Sequence, residues 1–356
     1  MGRFRWGVLG TGPVSVKFAA GLRQIGAEVA MVVSRGERGP AFAHLFGGVV
    51  VEDYARAAAM APGMVDAVYI ATPPALHFDH AQAFLKAGVP VLIEKPIAAS
   101  LAQAESLRDL ARSKGVFAME AMWTRFMPAI TALRRMIDEG AIGELRMISA
   151  SFGQAYRPDP AHGHFDPAQG GGALAQLGAY PLSLGQFLCG EAMAAKATGC
   201  LGPTGVDEDA AMALLYADGV IGSFQTSLRG TLRNSLTVTG TLGRIEIEGP
   251  IYRPWGLRVF SNPPVGRAQM DLTGKALFKE GPLFQRLSLF RARRARRGRV
   301  LSLPYAGNGY HYEAQEVQAL VRAGALESAT MPLDHSVALT ALTQSLRHQI
   351  HGMAQS

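Results

Sequence analysis

Hydrophobic positions in the first third of the chain fall into short, nearly unbroken runs separated by stretches of helical period. Residues 6–9 (Trp-Gly-Val-Leu), 29–33 (Val-Ala-Met-Val-Val), 65–71, 89–93 and 116–119 read as strands. Runs this rich in Val, Ile, Ala and Leu, without polar alternation, fit strands buried on both faces of a parallel sheet. Between them, 14–25, 77–87 and 101–114 carry the period of crossover helices. After a helix from Pro128 to residue 139 the pattern changes. Residues 145–153, 210–217, 220–228, 236–240 and 244–248 alternate or run apolar and end at Gly or Asp-Gly. Asp218-Gly219 between two such runs signals a hairpin, so this half predicts an antiparallel sheet. Helical patterns over 310–323 and 336–351 close the chain, and no internal repeat is visible.

Length agrees with two units: 356 residues exceed one ordinary domain of ~150. The chain is expected to divide into two domains, 1–122 and 123–356, with the C-terminal helices packed back on the first. A hydrophobic share of 48% against 18% charged excludes a disordered chain. No run approaches the ~18 apolar residues of a membrane span, and the start holds too short an apolar segment for a signal peptide. Cys189 and Cys200 are the only cysteines and lack metal-type spacing, which favours a reducing cytoplasm. The formal charge of +7 is local: residues 286–299 hold seven arginines and no acid, and the rest of the chain is formally neutral. A basic patch of that kind is no global nucleic-acid signature, and no nucleic-acid partner is expected. Lysine is scarce, seven against 28 arginines, so Lys95 inside an apolar stretch stands out.

Gly10-Thr11-Gly12-Pro13-Val14-Ser15 lies between the first strand and the first helix. Glycine at 10 permits a tight turn, and glycine at 12 lets the backbone approach a pyrophosphate resting on the helix N-terminus. Small Ser15 stands where the fingerprint has its third glycine. In this context the motif predicts dinucleotide binding. The second strand ends at Ser34-Arg35, with Arg38 beyond, where an NAD site carries an acid. A hydroxyl and guanidinium groups suit a 2′-phosphate, so NADP is expected over NAD.

Val91-Leu-Ile-Glu94-Lys95-Pro96 ends another strand, at the sheet edge where ligands of open parallel sheets bind. A partly desolvated lysine beside a cationic nicotinamide would titrate below its free value of ~10.4 and could shuttle a proton. Pro96 ends the strand.

Taken with Gly10-x-Gly12, the segments Ala71-Thr72-Pro73-Pro74-Ala75-Leu76-His77 and Glu94-Lys95-Pro96 resemble the glucose–fructose oxidoreductase/inositol dehydrogenase family. Glu120-Ala-Met-Trp-Thr-Arg-Phe126, Phe165-Asp-Pro-Ala-Gln-Gly-Gly-Gly-Ala173 and Gly307-Asn-Gly-Tyr-His-Tyr-Glu313 resemble its branch of dimeric dihydrodiol and NADP-dependent xylose dehydrogenases. The resemblance covers nearly the whole chain. It implies an α/β N-terminal Rossmann domain, 1–122, a C-terminal α+β domain for substrate binding and oligomerisation, 123–356, with an open, mainly antiparallel sheet, and an active site between them. It implies Lys95 as the catalytic lysine, and Gly10 to Val14 at the pyrophosphate. Thr72, Pro73, Pro74 and His77 would then lie along the cofactor, joined by Glu94. Trp123 and Arg125 would stand near the nicotinamide at a cleft rim. It further implies Tyr180 as the second catalytic residue, one helical turn beyond Gln176, where the family carries Asp. An amide can orient and hydrogen-bond but cannot accept a proton. The expected activity is NADP(H)-dependent oxidoreduction of a sugar, polyol or trans-dihydrodiol. The rival reading is a non-catalytic NADP-binding sensor or scaffold. Use of the C-terminal sheet face as an interface implies a homodimer.

His162-Gly-His164-Phe-Asp166 has spacing that could hold a metal. Its place before the Gly-Gly-Gly helix makes His164 a pocket-lining residue instead, and no metal is expected. The arginine tract follows Leu283, Phe284, Leu287 and Phe290 at helical spacing, which suits either an exposed basic loop or contact with an anionic surface.

Overall fold

The computed structural model describes residues 2–261 and 298–353, with positions 281, 282, 284 and 286. Of the arginine tract, only Arg286 and Arg299 fall among the described residues.

Six parallel strands form the first sheet: β1 Arg5–Leu9, β2 Glu28–Val33, β3 Val49–Val51, β4 Ala67–Ile70, β5 Val91–Glu94 and β6 Ala118–Ala121. Their order, β3-β2-β1-β4-β5-β6, reverses direction at β1, which is where such sheets bind ligand. The crossovers are α1 Pro13–Leu22, α2 Arg38–Phe46, α3 Tyr54–Met60, α4 His77–Lys86 and α5 Leu101–Lys114. Their ends follow local chemistry. Pro13 opens α1 at a position needing no N–H. The Ser100 hydroxyl caps α5 by accepting from the Gln103 N–H, and Gly115 at φ +62° ends it. The pattern of apolar runs did not contain α2, β3 and α3, so the sheet has one strand more than expected.

Beyond a single 3₁₀ turn, Trp123–Phe126, and α6 Pro128–Asp138, the second sheet begins with β7 Leu145–Gly153. A π-helical turn, Leu174–Gly178, runs into α7 Ala179–Cys189. The remaining strands are β8 Ala194–Leu201, β9 Asp207–Leu215, β10 Ile221–Ser227, β11 Leu236–Gly240, β12 Gly243–Ile247, β13 Gly256–Ser261 and β14 Arg299–Ser302. The order is β14-β13-β12-β11-β7-β10-β9-β8. Pairing is antiparallel throughout except between β7 and β10, which run parallel, so the sheet is mixed. The Asp218-Gly219 hairpin stands where expected, with Asp218 at φ 57°.

Apolar side chains form one cluster running from Trp6, Phe18 and Tyr69 on one face of the first sheet through Trp123 and Ile130 to Phe152 and Phe224 on the second. A separate cluster fills the other face of the first sheet, with Leu9, Met31, Ile70 and Ile93. Two terminal helices, α8 Tyr310–Arg322 and α9 Leu333–Met353, pack back on the first sheet's helices. The Asn308 amide donates to the Lys17 carbonyl at 2.6 Å, and Arg112 of α5 pairs with Glu327 at 2.6 Å and Asp334 at 2.9 Å.

Candidate active site

At the end of β1 the chain turns through Gly10, whose φ is +85° and whose N–H donates to the Val33 carbonyl at 2.9 Å. A Cβ there would stand 2.6 Å from the Ala71 carbonyl oxygen, so only glycine fits. A Cβ at Gly12 would meet nothing within 4 Å. The first turn of α1 has no side-chain cap and no acid, so its N–H groups face that open space. An anion such as a pyrophosphate fits this cradle. Ser15 is wholly buried against the sheet, which accounts for a small residue there. Thr11 and Ser34 hydroxyls are 3.0 Å apart. Arg35 and Arg38 are exposed beside them. The Arg35 guanidinium stands 5.8 Å over the Tyr54 ring, which stacks on His80, and His80 Nδ1 lies 3.0 Å from the Thr72 hydroxyl.

Exposed Pro73 and half-buried Pro74 open a short 3₁₀ turn leading into α4. His77 stands apart from the expected cofactor path. It is 1% exposed, with Nε2 and Nδ1 each 2.8 Å from the carbonyl oxygens of Thr72 and Pro96. It braces the turn after Lys95 from below, and no ring nitrogen remains for a ligand.

Lys95 follows the last residue of β5, and its peptide bond to Pro96 is cis. The Glu94 carboxylate faces back into the fold, accepting from the Tyr69 hydroxyl at 2.5 Å and the Lys95 backbone N–H at 3.1 Å. The Lys95 amine donates to the backbone carbonyl of Gln176 at 2.9 Å and lies 5.4 Å from the Tyr180 ring centre. The Gln176 side chain turns elsewhere, its amide donating to the Gly170 carbonyl at 3.1 Å. Position 176 thus meets Lys95 through its backbone carbonyl, while its side chain is held by Gly170.

Around this point the wall is aromatic. Tyr180 packs edge-on against Phe152 at 5.3 Å, and Phe152 and Tyr180 both contact Tyr252, at 5.2 and 6.0 Å. Trp123 stacks on Tyr310 at 4.5 Å. His164 meets Tyr156 at 4.6 Å and His162 at 4.7 Å. Phe152, Tyr156 and Tyr252 carried no motif and were not expected. Arg125 is not at a rim. It is 0% exposed, and its guanidinium binds the Ser183 hydroxyl and carbonyl, the Gln186 amide oxygen and the Thr330 carbonyl. Satisfied by groups from distant segments, it knits the Trp123–Phe126 turn to α7 and the approach to α9.

Burial sets the electrostatics. It lowers the Lys95 amine below the ordinary lysine value, against the pull of Glu94 and Glu120. It raises Glu94, opposed by the Tyr69 hydroxyl and Lys95. Glu120 is pushed up to about 7 by burial, although the Ser336 hydroxyl, Arg125 and the Ile97 N–H favour its charged form. Tyr180 is raised by burial, with the Trp123 indole N–H pulling the other way. His164 is held down at about 4 by burial, His162 and Lys95, so it is neutral at physiological pH. Glu313 is wholly buried, with no hydrogen-bond partner for either oxygen among the described residues, and burial raises it far above the usual carboxylate range. Among the described residues no cluster of three His, Cys, Asp or Glu could hold a metal.

Residues 4–122 match the oxidoreductase family with an NAD-binding Rossmann fold, and residues 130–246 match the GFO/IDH/MocA C-terminal domain. Trans-1,2-dihydrobenzene-1,2-diol dehydrogenase of Bos taurus is 31% identical over 97% of this chain and 96% of that protein. The same fold occurs in a 3-ketoreductase from Actinomadura kijaniata in complex with NADP, with TM-score 0.78, 23% identity and 98% of each chain covered. It occurs also in levoglucosan dehydrogenase in complex with NADH and levoglucosan, with TM-score 0.80, 20% identity, 100% of this chain and 98% of that one. On these matches along its length the chain belongs to the GFO/IDH/MocA family of oxidoreductases with an NAD(P)-binding Rossmann domain.

Proposed function

We propose that the chain is an NADP(H)-dependent oxidoreductase acting on a secondary alcohol, or the matching carbonyl, of a sugar, polyol or trans-dihydrodiol. The observation that carries this reading is the desolvated Lys95 amine, fixed at the sheet edge between the Gln176 carbonyl and the Tyr180 ring. When bound, the nicotinamide dinucleotide supplies the hydride acceptor for oxidation and the donor for reduction. Lys95 handles the proton: neutral, it takes the substrate hydroxyl proton; protonated, it gives one to the carbonyl oxygen. Tyr180, kept as a phenol by burial, hydrogen-bonds the same oxygen. The aromatic wall of Phe152, Trp123, Tyr252 and Tyr310 offers flat faces to a ring and excludes water. His164, neutral, lines the mouth of the pocket as a hydrogen-bonding residue.

Gly10 to Val14 hold the pyrophosphate. Thr11 and Ser34 hydroxyls with Arg35 and Arg38 take the 2′-phosphate, and the residue that follows β2 is Ser34 and not an acid. Thr72, Pro73 and Pro74 flank the path, with Glu94 beneath the ring end. Arg125 and His77 support the site from within the protein. The sensor reading rested on the amide at 176, and the backbone hold on Lys95 does not depend on that side chain. The chain works as a homodimer through the outer face of the second sheet, where exposed Ile221 stands in register between Leu215 and Met147. Cytoplasmic location and anionic-surface contact through 286–299 complete this reading.

Absorbance of the reduced nicotinamide, followed with a panel of sugars, polyols and trans-dihydrodiols, tests it. Turnover with NADP, and binding at least about tenfold tighter than NAD, equivalent to ~1.4 kcal/mol, is expected. Equal affinity for the two dinucleotides would remove the assignment of Ser34, Arg35 and Arg38.

A further inference from the structure

Helical carbonyls ordinarily close on their own helix, yet the Gln176 carbonyl accepts from Lys95 at 2.9 Å. Two local features make it available. Leu174–Gly178 is a π turn, in which the ring-closing N–H lies five residues on instead of four. Five residues on from Gln176 is Pro181, which has no N–H.

The turn is held from the second sheet. Asp207, at the start of β9 and 0% exposed, accepts the Leu174 N–H through Oδ2 at 2.7 Å. Thr226 of β10, also buried, donates its hydroxyl to the Ala173 carbonyl at 3.2 Å. Gly172, at φ +119°, brings its backbone so close to Asp207 Oδ1 that a Cβ has no room. Arg347 of α9 pairs with the same carboxylate at 3.6 Å. Behind the turn lies a cavity of about 180 Å³, lined by Pro96, Glu120, Ala175, Ala179 and Arg347 among others. Packing does not brace the turn on that side, so these hydrogen bonds hold its shape together with the buried Leu174 and Leu177 on the other.

We infer that Asp207 and Thr226 are positioning residues: they hold the π turn so that the Gln176 carbonyl keeps the Lys95 amine aimed at the reacting oxygen. This rests on the reading of Lys95 as the proton-transfer group. A carbonyl accepting from an ammonium favours the protonated form, so a displaced carbonyl makes Lys95 lose its proton at lower pH. The other ionisable groups facing Lys95 are Glu94 on β5, Glu120 on β6, His77 on α4, His164 and Tyr180; Asp207→Ala also frees Arg347, which lines the cavity with Glu120, whereas Thr226→Val leaves the Asp207–Arg347 pair in place.

The test measures kcat for carbonyl reduction against pH in the native protein, Asp207→Ala, Asp207→Asn and Thr226→Val, with Lys95→Ala as reference. Asp207→Ala and Thr226→Val should each lower kcat, the former by roughly tenfold. Both should move the alkaline limb to lower pH by about half a unit, with dinucleotide affinity kept within a few-fold. Asp207→Asn, whose amide oxygen still accepts the Leu174 N–H, should restore most of the limb. If Asp207→Ala does not fold, Thr226→Val decides, because it removes one donor and keeps the side-chain shape. Unmoved kcat and limb in the folded variants, with Lys95→Ala inactive, would overturn this inference alone. An active Lys95→Ala would overturn the reading beneath it.

Discussion

At Lys95 burial and charge pull in opposite directions: desolvation favours the neutral amine, while Glu94 and Glu120 favour the ammonium. Glu120 carries a cost of its own. Its carboxyl titrates at about 7 in the fold against 4.5 for an ordinary glutamate. Across that window the unfolded chain has released a proton that the folded one retains, so this residue makes stability fall as pH rises. The contribution is present in full below the unfolded value and lost as pH passes about 7. Glu120→Gln, which still accepts from the Ile97 N–H, should reduce the loss of stability across this range by about 3 kcal/mol, read from urea midpoints at both ends. An unchanged slope would mean the carboxyl is better solvated than its 2% exposure indicates. The lysine was legible in sequence because it sits among apolar residues in a lysine-poor chain, at a strand end before proline. Arg125 was not: its partners Ser183, Gln186 and Thr330 are remote in sequence, and only the fold makes a buried guanidinium there affordable. The part played by Gln176 was hidden for a different reason, since a backbone carbonyl has no letter of its own.

Helix and strand ends place the chemistry. Gly10→Ala would meet both a left-handed φ and the Ala71 carbonyl. It should cost about 2 kcal/mol or more in stability and weaken dinucleotide binding at least several-fold, measured by urea unfolding and fluorescence titration. Pro181→Ala tests the π turn from the other side. Alanine restores an N–H that can close on the carbonyls of Leu177 or Gln176. Turnover should fall several-fold while thermal stability holds or rises, because the added hydrogen bond competes with Lys95 for the carbonyl. Unchanged turnover would show that the proline is incidental. Long apolar strands and the glycine turn were readable from pattern alone. The missed elements are short or weakly patterned: β3 has three residues, and α3 is an alanine-rich seven whose one clear signal was the Asp53 cap. Strand β8, Ala-Ala-Lys-Ala-Thr-Gly-Cys-Leu, has too little apolar contrast to stand out. The parallel pairing of β7 with β10 depends on strand order, which no local pattern encodes.

Across the whole molecule, one apolar cluster joins the first sheet to the second, so the two sheets share core packing. That continuity explains why aromatic residues from far apart, Phe152, Tyr252 and Tyr310, reach the same site that Lys95 enters from β5. The two-sheet plan was legible because burial on two faces and burial on one face leave different hydrophobic periods. The return of α8 and α9 to the first sheet was less so, since their patterns specify a buried face but not the surface that covers it. The outer face of the second sheet carries its own expectation: if it forms the proposed homodimer, Ile221→Lys should give a monomer in sedimentation equilibrium, leaving the far-UV spectrum intact. A native protein that is already monomeric would contradict the proposed interface. In the proposed mechanism Lys95 moves the proton while the surrounding fold holds the dinucleotide independently of it. Its most direct test is turnover of Lys95→Ala beside the native protein, with NADP affinity measured on both. Affinity should stay within a few-fold and turnover should fall by about 10²-fold or more, the scale of general acid–base catalysis. Turnover retained in Lys95→Ala would contradict that mechanism.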